Sequence, residues 1–411
     1  MGPSSLRLRH VRQDALLAVL GAMSGALAGI ASYVFLELLE WATNTPRQER
    51  LARVVAAGRG PGDRDRVPPL GWPGARRHGP GSRRAARYTV GAPARMAPMV
   101  LVGTVVGHLF GASVGREGTA VQMSSSITEG LARAVRLDHA HRATLARAAL
   151  AGGFGSVFGV PFAGVVFAME VARRRTVRAL VACVPAAFVG HAVVSALGHH
   201  HDARPHVQVP FSFGNLVLLV ALGWVFGATA RAFALGVPAL KQIVARLIRP
   251  VPLRPVVGGL ATAALFWLVG GDYLGLSVHL LDSAFSGISR DWYDAPLKLV
   301  FTAIALGTGF VGGEVTPLFV IGGTLGSALA DPLGLSPVTA TALGLVAVFG
   351  AAAHVPFTCA VMAVELFGAH AFVPAVVVCV VARVVAGGES IYAHPVVVAP
   401  APHPPDRAHS V

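Results

Sequence analysis

Two glutamates stand in glycine-rich stretches that could hold a carboxylate beside a small ligand. Glu117 lies in GREGT (115–119), and Glu314 lies in GGEVT (312–316). Each stretch opens a long apolar run. Backbone N–H groups at the start of a helix attract an anion, and an apolar environment favours the neutral, protonated form of a carboxyl group. The two stretches therefore predict a site for a small anion beside a group that can carry a proton.

The spacing of these motifs indicates an internal duplication. A Pro-Phe step followed by a glutamate occurs at 161–170 and again at 356–365. The two glutamate-bearing stretches are 197 residues apart, and the two Pro-Phe steps are 195 residues apart. Two independent pairs at nearly one offset predict that about half the chain is duplicated. Broken apolar segments in matching positions are typical of transporters whose binding site lies between the repeats.

The composition predicts a polytopic membrane protein made of α-helices. The chain has 411 residues, of which 54% are hydrophobic and 13% charged, with a mean hydropathy of +0.62; ordinary soluble domains carry roughly 25% charged residues. Many apolar runs are shorter than the ~20 residues of a full crossing, which favours broken helices packed inside a bundle. Arg7, Arg9 and Arg12 precede the first membrane helix and predict a cytoplasmic N-terminus.

Residues 46–95 differ from the rest of the chain. Gly, Pro and Arg make up 21 of the 40 residues from Leu51 to Val90, so this stretch cannot supply a membrane-crossing run. Of the net charge of +14, residues 47–95 supply +9, so the basic balance is local and does not indicate a nucleic-acid partner. Three interpretations remain open: a disordered cytoplasmic loop, a lipid-facing basic patch or a frameshifted stretch. The Pro/Ala/His tail at 393–411 is predicted to be disordered.

The remaining reactive side chains have simpler interpretations. The cysteines form no metal spacing and are predicted to be small buried thiols. The histidine cluster fits no defined metal site, and a solvated loop is favoured over metal binding; we expect no metal and no cofactor. A membrane-embedded enzyme would need a motif such as His-Glu-x-x-His, which the sequence lacks. The small-xxx-small patterns at 21–25 and 25–29 predict helix packing. The residues concerned are Cys183, Cys359, Cys379, His199, His200, His201 and His206.

The motifs GREGTAVQM (115–123) and GFGSVFGVPFAGVVFAMEV (153–171) resemble the CLC family of chloride channels and anion/proton antiporters. Two details are similar to its fluoride/proton antiporter branch. Residues 313–317 read Gly-Glu-Val-Thr-Pro, where chloride-selective members carry Gly-x-Phe-x-Pro, and Val171 rather than a second glutamate follows Glu170. The resemblance implies a transport domain over 1–392, with repeat halves at about 15–200 and 214–392 in inverted topology and with short, tilted helices.

The resemblance also implies roles for individual residues. Glu117 would be the gating glutamate that couples anion movement to proton movement, and Glu170 and Glu365 are interpreted as structural partners at helix ends. The implied function is fluoride export coupled to proton import by a homodimer in a bacterial plasma membrane; the alternatives are a chloride channel or chloride/proton antiporter of the same family, or an inactive remnant. The family's first-repeat anion motif has no match within 46–95. The implied anion-binding residues are Gly115, Gly118, Thr119, Glu314, Val315, Thr316 and Tyr392.

Overall fold

The computed structural model describes residues 3–44, 92–172, 177–202, 204–208 and 212–392. The predictions for most of the Arg/Gly/Pro-rich stretch (45–91) and for the 393–411 tail therefore lie outside the described residues. Within the described ranges the chain forms fourteen α-helices. They are α1 (Pro3–Asn44), α2 (Met96–Leu109), α3 (Glu117–Ala134), α4 (His139–Phe158), α5 (Pro161–Val171), α6 (Leu180–Ala196), α7 (Phe213–Leu247), α8 (Leu253–Val269), α9 (Val278–Phe285), α10 (Asp294–Thr308), α11 (Val315–Ala330), α12 (Pro337–Ala353), α13 (Pro356–Phe367) and α14 (Phe372–Ala386).

Local sequence explains where several helices begin and end. At the start of α4, a carboxylate oxygen of Asp138 accepts a hydrogen bond of 2.9 Å from the backbone N–H of His141. Pro161 and Pro356 begin α5 and α13. A proline is tolerated there because the N–H groups of a first helical turn have no acceptor within the helix itself. Helix α4 ends at Gly159, whose left-handed backbone (φ 73°) suits a residue without a side chain.

Helix lengths fit the prediction of a polytopic membrane protein with broken helices. Four helical segments are long and apolar enough to cross a membrane: Val11–Thr43, Val177–Ala196, Phe213–Leu247 and Ala369–Ala386. Five further apolar helices have only 10–17 residues, including α2, α5 and α13. Short helices of this kind leave backbone ends inside the protein, where they can line a polar path.

Equivalent helices pack in the same way in the two halves of the chain. In the first half α1 packs against α6 and α3 against α4, and in the second half α7 packs against α14 and α11 against α12. Helices α5 and α13 meet across the halves. Close approach in each half depends on glycine: a Cβ at Gly25 would lie 2.3 Å from a backbone oxygen of α6, and a Cβ at Gly227 would lie 2.5 Å from one of α14. The small-residue patterns of α1 thus serve helix packing.

The two halves also exchange helix caps. The Glu170 carboxylate, at the end of α5, accepts hydrogen bonds from the N–H of Phe357 (3.2 Å) and from the N–H and hydroxyl of Thr358 (2.8 and 2.7 Å), at the start of α13. Glu365, near the end of α13, accepts from two N–H groups at the start of α5 (2.9 and 2.7 Å). Both glutamates therefore have the capping role expected from their repeated positions. The three cysteines are buried, as predicted.

Candidate functional site

The two glycine-rich stretches meet in the structure. Gly115 donates its N–H to the carbonyl of Gly313 at 2.6 Å, and Gly313 donates to the carbonyl of Gly115 at 2.7 Å. This pair of bonds holds the start of α3 beside the start of α11. The N-terminal ends of two helices, each with a partial positive charge, therefore lie next to one another.

Only small residues allow this contact. A Cβ added to Gly313 would lie 2.7 Å from the backbone nitrogen of Gly118, and a Cβ on Gly118 would lie 3.0 Å from the Cα of Gly313. A Cβ on Gly115 would lie 2.8 Å from the ring of Pro317. Since most of the opposing atoms belong to the backbone, they cannot rotate away, and glycine sets the distance between the two helix starts.

The Glu117 carboxylate occupies the N-terminal end of the opposite helix. Its side chain is 1% exposed. One oxygen accepts hydrogen bonds from the N–H of Thr316 (3.0 Å) and of Arg116 (3.1 Å), and the other accepts from the Thr316 hydroxyl. The Arg116 guanidinium lies 3.4 Å from the same carboxylate. The first half of the chain thus places a side-chain carboxyl group at the helix start of the second half.

Glu314, Val315 and Thr316 form the start of α11. Val315 and Thr316 are buried, at 2% and 4% exposure. Glu314 stands at the N-cap of α11 and is half-buried, and it interacts electrostatically with Lys241 of α7. The sequence analysis predicts that the Thr316 hydroxyl and Glu314 both donate to a bound anion. In the structure, the Thr316 hydroxyl donates instead to the Glu117 carboxylate.

The two other predicted anion ligands make different contacts. The Thr119 hydroxyl lies 2.7 Å from the Thr104 hydroxyl of α2 and joins α3 to that helix. Tyr392 packs the edge of its ring against Phe167, with ring centroids 6.2 Å apart. The residue before it, Ile391, donates its N–H to a carbonyl at the end of α12 (2.9 Å). Anion-binding roles for Thr119 and Tyr392 stay predictions.

A buried lysine that the sequence analysis did not single out holds the segment before α9, which in turn contacts the turn before the GREG stretch. The Lys298 ammonium, on α10, is fully buried and donates to the carbonyls of Tyr273 (3.2 Å) and Gly275 (2.7 Å) and to the Ser277 hydroxyl (2.9 Å). Gly275 in turn donates to the carbonyl of Gly111, just before the GREG stretch (3.4 Å). The sequence could have indicated this residue, because Lys298 is one of two lysines in the chain and stands in an apolar run.

Comparisons with other sequences show which known proteins the chain as a whole resembles. A family model described as voltage gated chloride channel matches residues 76–387. A chloride/fluoride channel protein of Pseudomonas syringae pv. tomato is 44% identical over 311 residues, which cover 73% of this chain and 68% of the relative. The H(+)/Cl(−) exchange transporter ClcA of Yersinia pestis is 25% identical over 325 residues, which cover 72% of this chain and 67% of the relative.

Solved structures give the same picture of the fold. The crystal structure of a CLC-type fluoride/proton antiporter is similar with a TM-score of 0.79 and 30% identity, over 92% of this chain and 97% of that one. A slow cyanobacterial Cl−/H+ antiporter is similar with a TM-score of 0.72 and 20% identity, over 92% and 95% of the two chains. At that lower identity the second likeness concerns the fold alone.

Proposed function

Because this chain belongs to the voltage gated chloride channel family, we propose that it is a secondary active transporter that exports fluoride in exchange for protons. One observation carries the proposal: the buried Glu117 carboxylate accepts hydrogen bonds from both the N–H and the hydroxyl of Thr316. These donors would suit a free anion equally well. Relatives with the highest identity above are named for chloride/fluoride channel activity and for fluoride/proton antiport.

Competition between the carboxylate and the free anion provides the coupling. While Glu117 is ionised, its carboxylate fills the helix start of α11 and excludes other anions. Protonation removes the charge that the helix end attracts, so the side chain can leave and an anion can take its donors. Return of the ionised carboxylate displaces the anion and delivers the proton. One residue therefore links an outward anion step to an inward proton step.

The side chains around this helix start favour fluoride. Fluoride is small and hard and depends on strong hydrogen bonds, and Thr316 offers two donors within one residue. Val315 stands where the chloride-selective members of the family carry phenylalanine. Glu314, when protonated, would add a third donor beside the site. The alternative function is chloride transport by the same fold. A comparison of the fluoride and chloride transport rates distinguishes the two functions.

The cellular setting follows from the same family membership. We infer a multi-pass protein of a bacterial plasma membrane, with its N-terminus in the cytoplasm because arginines precede the first membrane helix. A homodimer with one ion path in each subunit is the expected assembly. The names of its relatives describe channels and exchange transporters, which supports a transport role over enzymatic catalysis.

The experiment is ion flux from liposomes that contain the full-length chain. A fluoride electrode and a pH electrode follow fluoride efflux and the coupled proton movement, with a chloride gradient in parallel. We expect fluoride to move much faster than chloride and to drive proton uptake. Glu117→Gln should abolish fluoride-driven proton movement, because an amide cannot cycle through an ionised state. Asp291→Asn, which changes an exposed carboxylate of the 286–293 loop, is the matched control and should transport normally.

Each failure has a distinct meaning. Chloride flux as fast as fluoride flux would overturn the fluoride assignment and leave the antiport mechanism in place. Full proton coupling in Glu117→Gln would remove Glu117 from that mechanism. Absence of all flux in a folded chain would favour the inactive-remnant interpretation of the 46–95 stretch.

A further inference from the structure

Three side chains from distant parts of the sequence meet at one end of the helix bundle, apart from the Glu117 site. Glu37 and Glu40 stand one turn apart near the end of α1, and His199 follows the end of α6. One ligand atom from each lies within 4.8 Å of the other two. The closest pair given is His199 Nδ1 and a Glu37 carboxylate oxygen, at 3.5 Å.

We propose that Glu37, Glu40 and His199 form a binding site for a divalent transition-metal ion of the zinc class. Imidazole nitrogen and carboxylate oxygen both bind zinc at about 2.0–2.2 Å, which sets two ligand atoms of a tetrahedral site about 3.4 Å apart. The present spacing needs shifts of only about 1 Å to reach that geometry. Hard ions such as calcium and magnesium prefer a shell made of oxygen atoms alone, and the imidazole therefore favours zinc over them.

The two elements that carry the donors are held firmly together. Glycines along α1 let it pack directly on the backbone of α6, as Gly25 does at a Cβ distance of 2.3 Å. The backbone N–H of His199 donates to the carbonyl of Val194 in the last turn of α6 (3.3 Å), which fixes the residue relative to that helix. A metal ion would thus meet two donors on α1 and a third in the turn directly after α6, which is hydrogen-bonded to that helix, and ordering them would cost little entropy.

The side chains themselves can still adjust, and solvent can reach them. The Glu37 side chain is 49% exposed and that of His199 is 17% exposed, and Glu40 is exposed. Two carboxylates at (i, i+3) on one helix repel each other when no cation lies between them. A divalent ion would remove this repulsion and gain the histidine ligand. The His199 ring also packs against that of His201, with centroids 5.3 Å apart, which limits its rotation.

Zinc titration of the purified, untagged, full-length protein tests the site. Isothermal titration calorimetry in detergent should give one saturable zinc site, and His199→Ala should weaken it by at least about tenfold, because even loss of a group that only orients a ligand costs about 10- to 100-fold. Glu40→Gln keeps the size of the side chain and should weaken binding in the same way. Because the chain has 16 histidines, the exposed His370→Ala is the matched control and should leave zinc affinity unchanged.

X-ray absorption at the zinc edge provides a second measurement that does not depend on affinity. The spectrum should report mixed nitrogen and oxygen ligands with a single imidazole, and the imidazole signal should vanish in His199→Ala. Zinc binding of equal affinity in the unaltered chain, His199→Ala and Glu40→Gln would overturn the proposal, as would the lack of any saturable site. Neither result would bear on fluoride transport, which is measured without metal.

Discussion

The contact between the starts of α3 and α11 predicts that glycine-to-alanine substitutions there reduce the transport rate by different amounts, according to how closely each added Cβ approaches the opposite backbone. Gly313→Ala places a Cβ 2.7 Å from the backbone nitrogen of Gly118, whereas ordinary contacts begin near 3.4 Å. The starts of α3 and α11 must therefore separate by about 0.7 Å. The reciprocal hydrogen bonds between Gly115 and Gly313, now 2.6 and 2.7 Å, would then stretch beyond the usual range.

A shift of this size should reduce transport strongly without unfolding the protein. Misplacement of reacting groups by about 1 Å can cost about 100-fold in rate, and overpacking typically costs about 1–3 kcal/mol of stability. We expect fluoride efflux from liposomes to fall by about 10- to 100-fold in Gly313→Ala. Gly118→Ala, with its Cβ at 3.0 Å from Gly313, needs a smaller shift and should lose less activity.

The control is a glycine with free space around it. A Cβ at Gly236 of α7 meets no atom within 4 Å, so Gly236→Ala should transport at the rate of the unaltered chain. Size-exclusion chromatography and thermal unfolding in detergent establish that each variant is folded. Unreduced efflux in a folded Gly313→Ala protein, or a greater loss in Gly118→Ala than in Gly313→Ala, would refute the idea that glycine sets the spacing of the site.

Three further predictions concern donors, caps and pH. Thr316→Val keeps the backbone N–H and removes the hydroxyl, so the fluoride-over-chloride flux ratio should fall by about tenfold or more; Thr316→Ser should keep the ratio, and an equal ratio in both variants would contradict this. Glu170→Ala leaves the first turn of α13 without its acceptor, and thermal unfolding in detergent should report a loss of about 1–3 kcal/mol that the exposed-site control Asp291→Asn does not show. A Glu170→Ala protein as stable as the control would argue against the cap. The hydrogen bond from the backbone N–H of His141 lowers the pKa of Asp138. The carboxylate therefore stabilises the fold fully at pH values above its pKa in the unfolded chain, and this stabilisation is lost as the pH falls through the lowered pKa of the folded chain. The difference in Tm between Asp138→Ala and the unaltered chain should therefore shrink on acidification; a difference that grows would contradict the cap.

The elements around the site could be predicted because their signals are local. Glycine-rich stretches before apolar runs mark the starts of α3 and α11. The offsets of 197 and 195 residues are the basis of the predicted duplication. A capping role for Glu170 and Glu365 followed from their equivalent positions. Which helix each one caps could not be predicted, since the partners are 187 residues apart for Glu170 and Phe357 and 203 residues apart for Glu365 and Phe162.

The partners inside the site depend on how helices are placed in space. Thr316 stands two residues from Glu314 in the sequence, and residues two apart do not share a face of a helix. Its hydroxyl is therefore free to meet Glu117 from the other half of the chain. The meeting of His199 with Glu37 likewise depends on the packing of α1 against α6, which motif spacing does not encode.

The exchange of caps between α5 and α13 has a consequence for the synthesis of the protein. The first turn of α5 leaves the ribosome 203 residues before Glu365, the residue that accepts its N–H group at Phe162. At about 5–20 residues per second, this interval lasts roughly 10–40 s. During that time the N–H groups of Phe162 and Ala163 lack the carboxylate that accepts them in the folded chain. A nascent chain that stops before Glu365 lacks the carboxylate that caps α5 in the folded protein, so this contact of the first half forms only when the second half is nearly complete.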